Sequence, residues 1–313
     1  MLDGFLLLCY NNKVHTALKR GFAVKLRQKN GKKEVCMYPD KILGIFHLYG
    51  LMIAVGILAC FAVLFHFGKK RKIEDRFIDF VFYNAIVAII IGFGSAALFQ
   101  ATYNYIENPS AGFNLDSGIT FIGGLIGGIV SFLGGYAIFR KKYKARLMDI
   151  ISIAPCCILI AHAFGRVGCF FAGCCYGKPT DSFLGIEFPG VHGGPRHATQ
   201  LYEAIFLFIL FGLCYLLYWK KNFKYNLSLY LIVYGIFRFL IEFLRDDARG
   251  QLLGIVSPSQ FWSILMVVGG VGVYFLLKWL LPIREKELAE QAETPVEEMV
   301  ETEETTVKEE DEK

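Results

Sequence analysis

Charged side chains are scarce in this chain. They make up 19% of its 313 residues, whereas an ordinary soluble domain is about a quarter charged. Hydrophobic residues fill the gap at 55% of the total, and the mean hydropathy is +0.45. That much apolar surface does not fit inside one water-soluble core, so a soluble globular protein is excluded. A globally disordered chain and a small disulfide-stapled secreted domain are excluded on the same ground. Two local absences also inform. Residues 101–118 contain no lysine or arginine, and the segment after Arg284 contains no aromatic residue.

The charge that is present is unevenly placed. From Glu285 onward there are 13 acids and 3 bases, whereas residues 1–284 hold 30 bases and 15 acids. These bases fall in short runs between apolar segments, which is the pattern of a membrane protein and not of a nucleic-acid partner. Stretches of about 20 apolar residues are long enough to span a bilayer. Seven occur, at 42–67, 77–100, 119–139, 147–164, 200–219, 226–244 and 261–281. The fold class is therefore an all-α polytopic membrane protein with seven transmembrane helices.

Loop bases orient the chain. Lys69, Lys70, Arg71, Lys72 and Arg76 follow the first span; Arg140, Lys141, Lys142, Lys144 and Arg146 follow the third; Lys220, Lys221 and Lys224 follow the fifth. The basic loops alternate with poor ones, which places the carboxyl end in the cytoplasm and the amino end outside. Residues 1–36 run against this, with eight bases and two acids, and their apolar run at 5–8 is too short for a signal peptide. Translation is expected to begin at Met37; the alternative is an amphipathic or disordered basic arm. The expected organisation is an extension at 1–36, a seven-span domain at 37–283 and a disordered acidic cytoplasmic tail at 284–313.

Ionisable residues inside a span are costly and mark function. Span six holds Tyr234, Arg238 and Glu242 at spacings of four, which puts them on one stripe and lets Arg238 pair with Glu242. Arg238 lies about two turns from the span's end, too deep to snorkel easily, and Arg245 continues near the same face. Span one presents His47 and Tyr49 near the outer surface. Asn84 and Gln100 in span two read as helix–helix hydrogen-bonding groups. Span three carries Gly123, Gly124, Gly127 and Gly128 at small-xxx-small spacing, which allows close helix packing or admits a lipid headgroup. Arg166 is expected to begin an outward loop made non-helical by Gly165, Gly168, Gly173 and Gly177. Arg196 and His197 precede span five, with Glu203 on its first turn. Planar arginines bind phosphate oxygens bidentately, so Arg166, Arg238 and Arg196 point to an anionic headgroup at the outer leaflet.

Cys169, Cys174 and Cys175 share the loop after span four. Their C-x4-C-C spacing is weak as a metal signature. A disulfide and simple packing of small residues are the other readings, and no residue is assigned as a metal ligand. Cys156 and Cys157 read as small apolar residues, and His66 and His162 as structural histidines.

Five pieces in order resemble the prolipoprotein diacylglyceryl transferase family: LYGLM around Tyr49, FIGGLIGG in span three, GRVGCFFAGCCYG from Gly165, RHATQLYEA from Arg196, and YGIFRFLIEFLRDD from Tyr234. The resemblance covers roughly residues 37–281. It implies transfer of diacylglyceryl from phosphatidylglycerol to the lipobox cysteine thiol in the signal peptide of a lipoprotein precursor. A thioether forms and glycerol phosphate leaves, with no cofactor. It carries catalytic roles to Arg166, Arg238 and Glu242, and site-lining roles to Tyr49, Tyr234 and Gly177; Gly123, Gly124, Tyr202 and Arg245 are further substrate-binding candidates. The family's third-span histidine is replaced here by Ile122, and its signature Asn, Asn and Glu by Cys169, Ala172 and Cys174. His197 is then the remaining ionisable candidate to accept the thiol proton, with Glu242 second. The implied setting is the outer face of a bacterial plasma membrane. Transfer to another acceptor and non-catalytic phospholipid binding or transport are the alternatives.

Overall fold

The computed structural model describes residues 28–29, 32–33, 41–42, 46–118, 120–188, 191–246 and 257–311. The expected start at Met37 lies outside them. Two small antiparallel pairs come first: β1 (Gln28–Lys29) with β2 (Lys32–Lys33), and β3 (Lys41–Ile42) with β4 (Phe46–His47). The helices are α1 (Leu48–Lys70), α2 (Asp75–Glu107), α3 (Phe121–Phe139), the single turn α4 (Leu147–Ile150), α5 (Ala154–Phe171), α6 (Thr199–Lys221), α7 (Asn226–Ile241) and α8 (Pro258–Asp311). Between α5 and α6, β5 (Gly185–Ile186) pairs with β6 (Arg196–His197). Among the described residues, seven helices are long and apolar enough to cross a membrane.

Three boundaries differ from the sequence reading. The first helix starts at Leu48, because Phe46–His47 just before it pairs as a strand with Lys41–Ile42. Span four divides: α4 ends at Ile150, and Pro155 opens α5, which runs on to Phe171. Proline cannot continue the preceding turn but suits the first turn of a new helix. Arg166, Gly165 and Gly168 therefore lie within a helix, correcting the outward loop expected there. The chain leaves α5 only at Gly173, whose φ of +66° reverses it. Lastly, α8 continues through the Glu-rich stretch to Asp311, so the segment read as disordered has helical backbone.

Polarity is inverted relative to a soluble protein. Gln200, Glu203 and Asn226 are fully buried, whereas Ile138 is 73% and Val268 64% exposed. Apolar side chains on the outside are stable when lipid covers them. The helices close together through small residues. A Cβ on Gly123 would lie 2.6 Å from Phe99 Cβ, and one on Gly127 would lie 2.4 Å from Ser95 Cβ, so α3 lies directly on α2. Ser95 Oγ donates to Gly123 O at 2.8 Å across the same seam.

One end of the bundle gathers the basic loops. Buried Arg284 on α8 donates to Asp149 on α4 at 2.7 and 3.0 Å and to Lys144 O at 3.1 Å. Arg71 donates to Tyr218 O, and Lys224 pairs with Glu285. The opposite end holds the β5–β6 hairpin and the turn after α7.

Candidate active site

Near that second end, two helices aim polar side chains at one buried carboxylate carried by a third. Glu203 on α6 is fully buried. Its Oε1 lies 3.0 Å from Arg166 Nε on α5, accepts from Tyr234 Oη on α7 at 2.7 Å, and lies 3.7 Å from His162 Nε2. The His162 ring meets Tyr234 edge-on with centroids 5.1 Å apart, and Tyr230 stacks on Tyr234 at 5.7 Å. Glu203 Oε2 is buried with no hydrogen-bond partner. A carboxylate in this position costs several kcal/mol unless guanidinium and hydroxyl donors hold it.

One turn along α7 from Tyr234, Arg238 Nη1 donates to Glu242 Oε2 at 2.7 Å and Nη2 donates to Ser259 Oγ on α8 at 2.9 Å. Ser257 Oγ donates to Glu242 Oε1 at 3.0 Å, and Arg245 Nε is 3.8 Å from Glu242 Oε2. Arg238 and Arg245 are both buried. Together the cluster holds three arginines and two glutamates, so one positive charge is in excess in a low-dielectric setting. An anion presented there meets guanidinium donors that carboxylates have already oriented.

Gly177 makes this geometry possible. A Cβ there would sit 2.5 Å from Leu244 O, 2.8 Å from Thr199 Cγ2 and 2.9 Å from His197 Cβ. Without a side chain, Gly177 N donates to His197 O at 2.7 Å and Lys178 N to Leu244 O at 2.8 Å. The loop after α5 is thereby stitched to the end of α7 and the start of α6.

The other sequence-chosen residues sit as follows. The Tyr49 ring packs where a Cβ on Gly168 would be 3.1 Å away, two residues beyond Arg166 on α5. His197 Nδ1 is 3.3 Å from Tyr202 Oη at the rim, and its ring contacts among the described residues run to Tyr202, apart from the arginine cluster. Gly123 and Gly124 face α2. Arg196 is bound into the outer hairpin: it pairs with Asp246, donates to Gly177 O at 3.5 Å and lies over the Tyr176 ring at 5.2 Å. It is an anchor of that loop. Glu203 and His162 were not chosen as site residues. A signal existed for both, since Glu203 is an acid inside an apolar helix and His162 stands four residues before Arg166 on the same stripe.

A family model described as prolipoprotein diacylglyceryl transferase matches residues 41–276. The chain is 36% identical over 236 residues to a phosphatidylglycerol–prolipoprotein diacylglyceryl transferase of Clostridium tetani, covering 72% of this chain and 91% of that protein. It is 35% identical over 249 residues to a second protein of that description from Clostridium perfringens, with coverages of 76% and 94%. For a Campylobacter curvus relative the identity is 33% over 253 residues, with coverages of 74% and 90%.

Proposed function

From the premise that the chain belongs to the prolipoprotein diacylglyceryl transferase family, we propose how its buried polar cluster performs that transfer. The enzyme moves diacylglyceryl from phosphatidylglycerol to a prolipoprotein. The lipobox thiol sulfur attacks the glyceryl carbon that bears the phosphate. The C–S bond forms as the C–O bond breaks, and glycerol phosphate departs with the bonding pair. Arg166 and Arg238 hold the phosphate oxygens and stabilise the charge of the leaving anion. Glu242 orients Arg238, Glu203 with Tyr234 orients Arg166, and Arg245 adds charge at the rim. His197, half-exposed beside Tyr202, takes the thiol proton. Tyr49 and Gly177 line the approach.

The basic end faces the cytoplasm by the positive-inside rule, which places the cluster toward the outer leaflet of a bacterial plasma membrane. There it meets both the headgroup and the signal peptide of the acceptor. The observation that carries this reading is a net-positive arginine–carboxylate cluster buried among membrane-spanning helices.

Its test is transfer of a labelled diacylglyceryl group to a lipobox peptide in membranes. Arg238→Ala is expected to abolish transfer; undiminished transfer by this variant would remove Arg238 from the mechanism. Rescue of a strain depleted of its own diacylglyceryl transferase tests the acceptor.

A further inference from the structure

The weakly patterned cysteines of the loop after α5 come together in space. The Sγ atoms of Cys169, Cys174 and Cys175 all lie within 4.8 Å of one another, and among the described residues no imidazole or carboxylate joins this group. Cys169 sits on the last turn of α5, and the other two follow Gly173. The reversal that returns them to Cys169 is held in several ways. Gly173 and Cys175 both take positive φ, +66° and +63°. Cys174 N donates to Cys169 O at 3.2 Å. From α6, Thr199 Oγ1 donates to Cys175 O at 2.7 Å and Gln200 Nε2 to Cys174 O at 2.9 Å. Cys175 is not a residue type that adopts left-handed backbone readily, yet the surrounding bonds keep it there with its sulfur turned toward the other two.

We propose that Cys169, Cys174 and Cys175 form a three-thiolate site for a thiophilic d10 cation, of the Zn2+ or Cu+ kind. Zinc–sulfur bonds of about 2.3 Å place tetrahedral sulfurs about 3.8 Å apart. The three sulfurs therefore stand within roughly an ångström of coordinating distance before any ion arrives. An all-sulfur donor set selects soft cations over magnesium and calcium, which require oxygen. Three thiolates with Zn2+ carry one net negative charge, and Arg166 stands three residues before Cys169 on the same helix. Fully buried Gln200, whose amide nitrogen holds this turn, has its Oε1 buried without a hydrogen-bond partner, so a polar acceptor adjoins the same loop. Cys169 and Cys174 are half-buried, whereas Cys175 is buried. Simple packing of small apolar residues does not call for this exposure, nor for a strained residue at Cys175.

The site is tested by binding, with a readout separate from transfer. The full chain is purified in detergent, reduced and stripped with chelator. Zn2+ and Cu+ are then titrated separately against chromophoric chelators, and Co2+ serves as a spectroscopic probe. The expected result is one ion per chain, with a thiolate-to-cobalt charge-transfer band. Loss of an outer-shell partner costs 10–100-fold in metal affinity, so loss of a direct ligand in Cys169→Ser, Cys174→Ser or Cys175→Ser is expected to cost about 100-fold or more. Cys60→Ser, on α1, is expected to bind as the parent does. Uptake of Zn2+ with a tetrahedral cobalt spectrum means an exogenous fourth ligand, and uptake of Cu+ alone means a trigonal site; both support the proposal. In the unaltered chain the ion is expected to protect all three cysteines from alkylation while Cys60 is labelled at its usual rate, which needs no variant to fold. Sub-stoichiometric binding, affinity unchanged by all three substitutions, or a disulfide among the three that blocks uptake in the chain isolated without reductant would each overturn it.

Discussion

Glu203 has the largest leverage of any single residue in the site. It forms an ion pair with Arg166 and accepts a hydrogen bond from Tyr234, and no solvent reaches it. Replacing it with glutamine keeps the shape and an acceptor for Tyr234 but removes the charge opposite a largely buried guanidinium. Breaking a buried ion pair from one side costs on the order of 3–5 kcal/mol. Glu203→Gln is therefore expected to lower the midpoint of thermal unfolding in detergent and to cut transfer by about 100-fold or more. A variant with parental stability and transfer would show that Arg166 does not depend on it. At this scale the sequence was legible where partners lie on one helix. The spacing of Arg238 and Glu242 alone predicts their pairing, and the structure places them 2.7 Å apart. For Glu203 and His162 the sequence marks polar residues inside apolar helices but not their contact with each other, which crosses from α6 to α5 and has no local period.

At the scale of elements, two glycine contacts separate packing from chemistry. Gly123 lies against α2 where a Cβ would meet Phe99 Cβ and the Ser95 backbone oxygen. Overfilling such a seam costs about 1–3 kcal/mol. Gly123→Ala is expected to lower thermal stability while leaving KM for phosphatidylglycerol unchanged. A raised KM at unchanged stability would instead place Gly123 on the headgroup. Gly177 behaves differently, because the nearest atom to its added Cβ is the backbone oxygen of Leu244, which no rotamer change can move away. Gly177→Ala is expected to separate the loop after α5 from the end of α7 and to depress transfer more than stability, as read by comparing labelled-lipid transfer with the unfolding midpoint. The helical state of Arg166 also belongs to this scale. Glycines at 165 and 168 suggested a loop; Gly168 serves instead to let α5 approach α1, with Tyr49 filling the space beside it, whereas a Cβ on Gly165 would meet nothing within 4 Å.

For the whole molecule, the seven-helix count followed from hydropathy, and the alternation of basic loops agrees with their gathering at one end of the bundle. Arg284–Asp149 and Lys224–Glu285 bind that end together, while the arginine–carboxylate cluster occupies the other. Reporter fusions test the orientation: alkaline phosphatase joined after Asn108 is expected to be active, and joined after Lys142 inactive. The reverse pattern would turn the site toward the cytoplasm and overturn its proposed place at the outer leaflet.

Membrane residence, the number of spans, the loop-charge asymmetry and the Tyr234–Arg238–Glu242 stripe were determined by the sequence alone, because each depends on composition or on a period within one segment. Only the tertiary structure decided that Arg166 is helical, that Glu203 on α6 meets partners from both α5 and α7, and that three cysteines with a weak spacing converge. Those outcomes depend on how closely helices approach and where chains reverse. Such distances are set by side-chain volume and backbone closure between segments far apart in the chain, and no local pattern records them.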